Sequence, residues 1–211
     1  MKLHDYLPSQ NAYKVRLLLH HLGISYETVP VGIFEGAGQT EAFRAKNPTG
    51  AVPVLELDDG RCLPESNAIL MYLGEGTRYV PADAWQRAQV LRWMFFEEDQ
   101  VQNGIASLRH WTLTGKLARR SREAIEGKRA LGRKALAVLD GWLSAREFLV
   151  DTYTIADMSL YAYVGFADEA GLPLESYPHV VAWIARIRAQ PGFLATVYPY
   201  AIDPFSGNEL P

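Results

Sequence analysis

"NPTGAVPVLELDDGRCLPESNAILMYL", residues Asn47 to Leu73, contains the turn and strand signals that determine the fold of this chain. Asn47-Pro48 begins a turn, and the apolar run VPVLEL that follows is typical of a short strand. Asp58-Asp59-Gly60 is typical of a tight hairpin, so RCL is predicted to be the returning strand. After Glu65-Ser66, apolar residues recur at helical spacing as far as Leu73, which predicts a helix.

The residues before this stretch predict a β-α-β unit. KLHDY, from Lys2 to Tyr6, predicts a short strand, and SYETVPV, from Ser25 to Val31, predicts a second. The two strands of such a unit are expected to be parallel, with a right-handed crossover between them. The helix between them shows an apolar face at Val15, Leu18, Leu19 and Leu22. With a short helix after Thr40, the order over residues 1–76 is β-α-β-α-β-β-α, a thioredoxin-like domain with a four-stranded mixed sheet.

The composition changes after residue 76, and the rest of the chain is predicted to be helical. Residues 77–84 are rich in turn residues and predict a linker, and residues 85–211 predict an all-helical domain. Thr154-Ile155-Ala156-Asp157 is a capping-box sequence, in which Asp157 is expected to be structural. The remaining helical patterns are Trp85 to Leu113, Ser121 to Arg146 and Tyr177 to Gln190.

Composition limits the possible partners. The chain has 211 residues, 48% hydrophobic, with a formal net charge of −3, so we expect a soluble globular protein that binds neither nucleic acid nor membrane. The five histidines show no metal-ligand spacing, so we expect no metal site. The lone cysteine, Cys62, excludes a disulfide framework and is predicted to be buried and inert. A cytoplasmic location is the default expectation.

The small polar run Ser9-Gln10-Asn11 lies between the first strand and the first helix. One interpretation is a loop with a helix N-cap, because serine and asparagine are favoured at that position. The other interpretation is a ligand site, because the N–H groups at a helix start attract anions. These residues alone do not distinguish the two.

The ordered set NPTGAVPVLELDDG, PESNAILMYL and TIADMSLYAYV resembles the cytosolic glutathione transferases over essentially the whole chain. The resemblance implies a detoxifying homodimer in which each first domain binds glutathione. It also implies a cleft toward the helical domain for a small hydrophobic electrophile. Glutathione would be a co-substrate, and no cofactor is implied.

The resemblance implies roles for several residues. Ser9 matches the serine that donates a hydrogen bond to the glutathione thiolate, and Asn11 matches a functional asparagine of a bacterial class. Which of the two dominates stays open, and Tyr6 and Tyr13 rank below them. The Val52-Pro53 bond would be cis, so that the Val52 backbone pairs with the cysteinyl group like an added strand.

The two ends of glutathione would be bound elsewhere in the first domain. Glu65 suits the γ-glutamyl ammonium group, and Ser66 with the adjacent helix start suits the γ-glutamyl carboxylate. Residues of these types also make an ordinary capped helix, and both interpretations can hold together. Gln39 is the nearest match for a residue that binds the glycine carboxylate, with Lys46 as the weaker candidate.

For the electrophile, the resemblance points to the long helix after the linker, with candidates Phe96, Gln100, Asn103 and Arg109. Arg109 has an alternative role, because such an arginine often pairs with a carboxylate. The leading function is glutathione transfer to a small hydrophobic electrophile. Glutathione-dependent reduction of disulfides or peroxides, using Ser9 or Asn11, is the second enzymatic hypothesis. A non-catalytic binding module is the third, since a fold alone does not determine a function.

Overall fold

A computed structural model describes residues 1–210. The chain divides into two compact units. The first comprises Met1–Gly74 together with the residues from Gly192 onward, and the second comprises Glu75–Pro191.

The first unit contains a four-stranded mixed sheet of order β2-β1-β3-β4. β1 is parallel to β2 and antiparallel to β3, and β3 is antiparallel to β4. This arrangement confirms the predicted thioredoxin-like fold. The elements are β1 (Lys2–Asp5), α1 (Gln10–Leu22), β2 (Glu27–Pro30), α2 (Glu41–Arg44), β3 (Val54–Glu56), β4 (Cys62–Pro64) and α3 (Ser66–Gly74), with 3-10 turns at Ile33–Glu35, Ala37–Gln39 and Tyr200–Ile202.

Side chains on the two faces of the sheet form two apolar clusters. In one cluster, Leu3 and Leu55 of the sheet pack with side chains of α1 and α3, and all of them are buried. In the other, Val54 packs with Val31 and with Phe43 of α2. Neighbouring residues Val54 and Leu55 point to opposite faces because strand side chains alternate, so a three-residue strand contributes to both clusters.

The regular structure of the second unit is helical, as predicted. None of the helices in residues 1–210 is long and apolar enough to cross a membrane. The elements are α4 (Ala84–Phe96), a π-helical segment (Glu97–Ala106), α5 (Ser107–Leu113), α6 (Arg122–Leu143), α7 (Ile155–Val164) and α8 (Pro178–Arg188), with 3-10 turns at Leu117–Arg119 and Ala167–Ala170.

The predicted helix from Trp85 to Leu113 is continuous in the structure but contains the π-helical segment. Its wider turns show in side-chain bonds five residues back, such as Ser107 Oγ donating to the Gln102 carbonyl at 3.1 Å. The backbone of Gly104 lies close to α6, since a Cβ there would be 2.7 Å from the backbone nitrogen of Gly132. Any larger residue at position 104 would force the two helices apart.

The capping box at the start of α7 is present as predicted. The buried carboxylate of Asp157 accepts hydrogen bonds from Thr154 N at 2.9 Å, Leu149 N at 3.0 Å and Trp183 Nε1 at 2.9 Å. These bonds satisfy donors that would otherwise be buried without partners. Asp157 therefore connects the start of α7 to the preceding loop and to α8.

The segment after Gly192 belongs to the first unit, whereas the sequence assigned residues 85–211 to the helical domain. Tyr6 Oη donates to Asp203 Oδ2 at 2.8 Å, and Tyr13 Oη donates to the Leu194 carbonyl at 2.6 Å. Pro191 and Gly192 end the helical pattern, and the chain then contacts Tyr6, which follows β1, and Tyr13 of α1. We refer to residues 192–210 as the returning segment.

Candidate glutathione site in the first unit

Ser9 is the N-cap of α1. Its Oγ accepts the Ala12 N–H at 3.2 Å, so the N-cap interpretation holds. A hydroxyl can accept one hydrogen bond and donate another. Among residues 1–210, the Ser9 hydroxyl has no acceptor for its own hydrogen. Because Ser9 is half-buried at the start of a 13-residue helix, it presents a donor hydrogen at the positive end of the helix dipole.

The two residues after Ser9 occupy the first turn of α1. Asn11 is half-buried, and Gln10 is only 2% exposed. Neither amide atom of Gln10 has a hydrogen-bond partner within residues 1–210. Burying an amide without hydrogen-bond partners is energetically unfavourable. The helical pattern gave no indication of this buried amide, because the pattern describes only the apolar residues.

The two tyrosines near Ser9 use their hydroxyl groups on the returning segment. Burial, followed by the hydrogen bond to Asp203, raises the pKa of Tyr6. Since Tyr13 donates to Leu194, both phenolic hydrogens have acceptors within the first unit. The lower rank of both tyrosines as thiolate donors stays a prediction.

The Val52-Pro53 peptide bond is cis, which confirms the geometry implied by the resemblance. The loop before it is held by Asn47, whose Nδ2 donates to the Ala51 carbonyl at 2.8 Å. Val52 is half-buried, and neither its N–H nor its carbonyl is paired within the described chain. An extended peptide could therefore pair with the Val52 backbone.

Gln39 lies beside this loop. Gly50 has a φ of +73°, and a Cβ at Gly50 would lie 2.9 Å from Gln39 Nε2 and 2.7 Å from the Gly38 carbonyl oxygen. The glycine thus allows two loops to meet and brings the Gln39 side chain next to the segment that leads to Val52. Gln39 Oε1 accepts a hydrogen bond from Arg44. The weaker candidate, Lys46, instead donates to Glu56 Oε2 at 2.6 Å.

Glu65 and Ser66 lie where β4 ends and α3 begins. Glu65 is exposed and has a φ of 71°, the one positive φ of a non-glycine residue among those described. Such a conformation costs on the order of 1–3 kcal/mol and is often found at ligand sites. Ser66 is buried, and its Oγ accepts a hydrogen bond from Lys14 Nζ at 3.4 Å.

The four candidates for electrophile binding are divided within the second unit. Phe96 and Gln100 line one pocket of about 450 Å³, together with Arg92 and Val138. Asn103 is exposed and donates to the Asp99 carbonyl at 2.9 Å. Arg109 is 3% exposed, and its Nε donates to Glu169 Oε2 at 2.6 Å, which agrees with its alternative role in an ion pair.

The prediction that Cys62 is buried is wrong. Its side chain is half-buried, and Sγ lies 3.7 Å from the Gly60 carbonyl oxygen. Cys62 begins β4, which is the last strand in the sheet order, and an edge strand is covered by a neighbour on one side only. Among residues 1–210, no three histidine, cysteine or acidic side chains are placed to hold a metal ion.

Two family models match the chain. The glutathione S-transferase N-terminal domain matches residues 3–78, and the glutathione S-transferase C-terminal domain matches residues 90–191. A solved glutathione S-transferase from Pseudomonas fluorescens is 44% identical, with a TM-score of 0.89 over 92% of this chain and 96% of that one. Glutathione S-transferase 3 of Zea mays is 30% identical over 97% of this chain and 96% of its own length.

A third similar protein has a ligand in its solved structure. It is a glutathione transferase from Phanerochaete chrysosporium in complex with oxidized glutathione. It is 26% identical to this chain, with a TM-score of 0.81 over 90% of this chain and 91% of that one.

Proposed function

The chain belongs to the glutathione S-transferase family and is a glutathione transferase, and from this premise we propose that Ser9 activates bound glutathione for attack on a small hydrophobic electrophile. The observation that carries the proposal is the Ser9 hydroxyl at the start of α1, whose hydrogen has no acceptor among the described residues. The sulfur that attacks belongs to glutathione, so Ser9 acts as a hydrogen-bond donor to the thiolate.

The energy required is within the capacity of this helix start. A free thiol has a pKa of ~8.5, and lowering it by ~2 units requires about 2.7 kcal/mol of preferential stabilisation of the thiolate. A hydrogen bond to a charged group contributes about 1.5–3 kcal/mol, and a helix N-terminus adds about 0.3–1 kcal/mol. Together the two reach the required value.

The rest of the tripeptide would be held by other residues of the first unit. The unpaired backbone of Val52, before the cis-Pro53 bond, suits the cysteinyl amide and carbonyl. Ser66 at the start of α3 suits the γ-glutamyl carboxylate, and exposed Glu65 suits its ammonium group. Gln39 would donate its amide to the glycine carboxylate. We also propose that Phe96 and Gln100 contact the electrophile through the pocket they share.

The test is ultraviolet titration of the thiolate in the glutathione complex. Ser9→Ala is expected to raise the pKa of the bound thiol by about 1–2 units, because one charge-assisted hydrogen bond is lost. Glutathione affinity is expected to stay nearly unchanged. Ser121→Ala is the matched control, since Ser121 caps α6 in the same way, with Oγ 3.1 Å from Ala124 N. An unchanged thiol pKa in Ser9→Ala would assign the role to Asn11 or to a backbone amide.

A glutathione-dependent disulfide or peroxide reductase is the second candidate. One observation favours it, because the similar Phanerochaete chrysosporium transferase was solved with oxidized glutathione. No protein cysteine is needed, since a second glutathione can resolve a mixed disulfide. Activity with an aryl halide but not with a hydroxyalkyl disulfide would support transfer, and the reverse pattern would support reduction.

The working state that we propose is a cytoplasmic homodimer with a role in detoxification. Helix α4 exposes Leu91 and Phe95, which lie one turn apart, and Trp85 at its start. Trp85 is 72% exposed and Phe95 is 69% exposed, which is unfavourable for large apolar side chains in water. A second copy of the chain would cover them. The cytosol is also where a lone cysteine stays reduced.

A further inference from the structure

Lys14 of α1 is fully buried, with 0% of its surface exposed. Burying an ammonium group is costly unless it is paired and hydrogen-bonded. The Lys14 Nζ donates to Ser66 Oγ at 3.4 Å, and Ser66 is itself only 4% exposed. The Lys14 amine of α1 is therefore within hydrogen-bond distance of the side chain of Ser66, the first residue of α3.

The chemistry of this bond determines its direction. A lysine ammonium has three donors and no acceptor, so the Ser66 oxygen must be the acceptor. The Ser66 hydroxyl hydrogen then points away from Lys14 and can be donated to another group. Lys14 thus leaves the Ser66 hydroxyl able to donate to another group at the start of α3.

The positive charges near the start of α3 also favour an anionic ligand there. Helix α3 has nine residues, Ser66–Gly74, and its N-terminus carries a partial positive charge. The buried Lys14 ammonium adds a positive charge 3.4 Å from the Ser66 hydroxyl, where water screens it less than at the surface. Both contributions favour an anion, and a carboxylate accepts readily from a hydroxyl and from helix N–H groups.

We infer that Lys14 is a positioning residue for the γ-glutamyl carboxylate of glutathione, acting through the Ser66 hydroxyl and through its own charge. The inference rests on the proposed function, because it concerns the same tripeptide site. Lys14 touches Ser66 and not the reacting sulfur, so its effect belongs to binding rather than to thiolate formation.

The test compares two probes in the full-length protein by calorimetry. One is glutathione, and the other is γ-aminobutyryl-cysteinylglycine, which lacks only the γ-glutamyl carboxylate. Lys14→Met is expected to weaken glutathione binding about 10- to 100-fold, the range for a lost hydrogen bond to a charged group. The analogue is expected to change less than about 3-fold, and kcat and the thiol pKa should be unchanged while KM rises.

Three further variants exclude a general packing effect. Lys116→Met removes a buried lysine from the second unit and should leave the ratio of the two affinities unchanged. Lys14→Arg keeps the positive charge, so its ratio of the affinities for glutathione and the analogue should be close to that of the wild type. Ser66→Ala removes the group through which Lys14 acts and should lower the ratio even where Lys14→Met does not fold.

The outcomes separate the two levels of inference. The role of Lys14 alone is overturned if Lys14→Met weakens the binding of both probes equally. It is also overturned if Ser66→Ala keeps the wild-type ratio of the affinities for glutathione and the analogue. A wild-type protein that binds neither probe overturns the proposed function, and the inference with it. A preference for glutathione that is lost in Lys14→Met and kept in Lys116→Met supports the assignment.

Discussion

Glu56 of β3 is the centre of a small charged group on the sheet. Its Oε2 accepts from Lys46 Nζ at 2.6 Å and lies 2.8 Å from His4 Nε2. The hydrogen bond from Lys46, followed by that from His4, lowers the pKa of Glu56 to about 2. The group lies across β1 and β3, since Lys2 pairs with Glu56 and His4 with Val54 in the strand register.

This group predicts a pH dependence of stability. The pKa of Glu56 is lower in the folded chain than its ordinary value of 4.5, so the stabilisation is present above pH 4.5. It is lost as the pH falls from 4.5 toward 2. Glu56→Gln should lower the free energy of unfolding by up to about 1 kcal/mol at neutral pH. The difference between wild type and variant should become smaller as the pH falls from 4.5 toward 2. Urea unfolding at several pH values measures this difference. A difference that is the same at every pH would contradict the stabilising role of the ionised Glu56 side chain.

At the residue scale, the candidate residues that could be found from the sequence are those that follow recognisable local patterns. Ser9, the Val52-Pro53 pair and Ser66 stand at a helix start, a strand start and a second helix start, where local rules apply. Lys14 escaped attention because it lies within an apolar helix, where a lysine is expected to reach solvent. Its burial depends on α3, which is 52 residues away along the chain at Ser66.

Among the elements, the start of α7 depends most on one side chain. Asp157→Ala would leave the N–H groups of Thr154, Leu149 and Trp183 without their acceptor. Each buried, unpaired donor costs about 1–3 kcal/mol, so we expect a loss of roughly 3 kcal/mol or more in the free energy of unfolding. Chemical denaturation measures the loss.

The control for this prediction is an ordinary helix cap. Asp83 caps α4 through one bond to Gln86 N at 2.9 Å and is exposed, so Asp83→Ala should cost only about 1 kcal/mol. Similar losses in the two variants would mean that Asp157 is no more than a cap. The thiol pKa of bound glutathione should not change in either variant.

Helix periodicity predicted α4, α6, α7 and α8 but not the π-helical segment. Apolar spacing from Trp85 to Leu113 fits one regular helix. The amino-acid composition does not change at Glu97, where the π-helical segment begins. The wider turns coincide with the close approach of Gly104 to Gly132, and this contact joins positions 28 residues apart. A pattern read in a short window contains no information about such a contact.

At the scale of the whole molecule, the exposed face of α4 predicts the oligomeric state. Phe95→Glu places a charge on an apolar surface that we propose is covered by a second copy, so the variant should sediment as a monomer. Val181→Glu is the matched control, because Val181 on α8 is 46% exposed and lies outside the proposed interface. Analytical ultracentrifugation distinguishes the two states. A monomeric wild-type chain, or a dimeric Phe95→Glu variant, would refute the proposal.

The order of the strands and helices could be predicted throughout the first unit, because turn residues and apolar runs mark each boundary. The place of the returning segment could not. No strand or long helix marks residues 192–210, and what attaches them is a phenolic hydroxyl of Tyr6 meeting Asp203, 197 residues later. Pairings at such separation follow from the folded arrangement and leave no local pattern.

The returning segment has a consequence for the order of events during protein synthesis. Nascent domains generally begin to fold from the amino-terminal end while the ribosome is still translating. Here Tyr6 and Tyr13 acquire their partners only when Leu194 and Asp203 have left the exit tunnel. The amino-terminal unit is therefore completed after every residue of the helical unit has been translated.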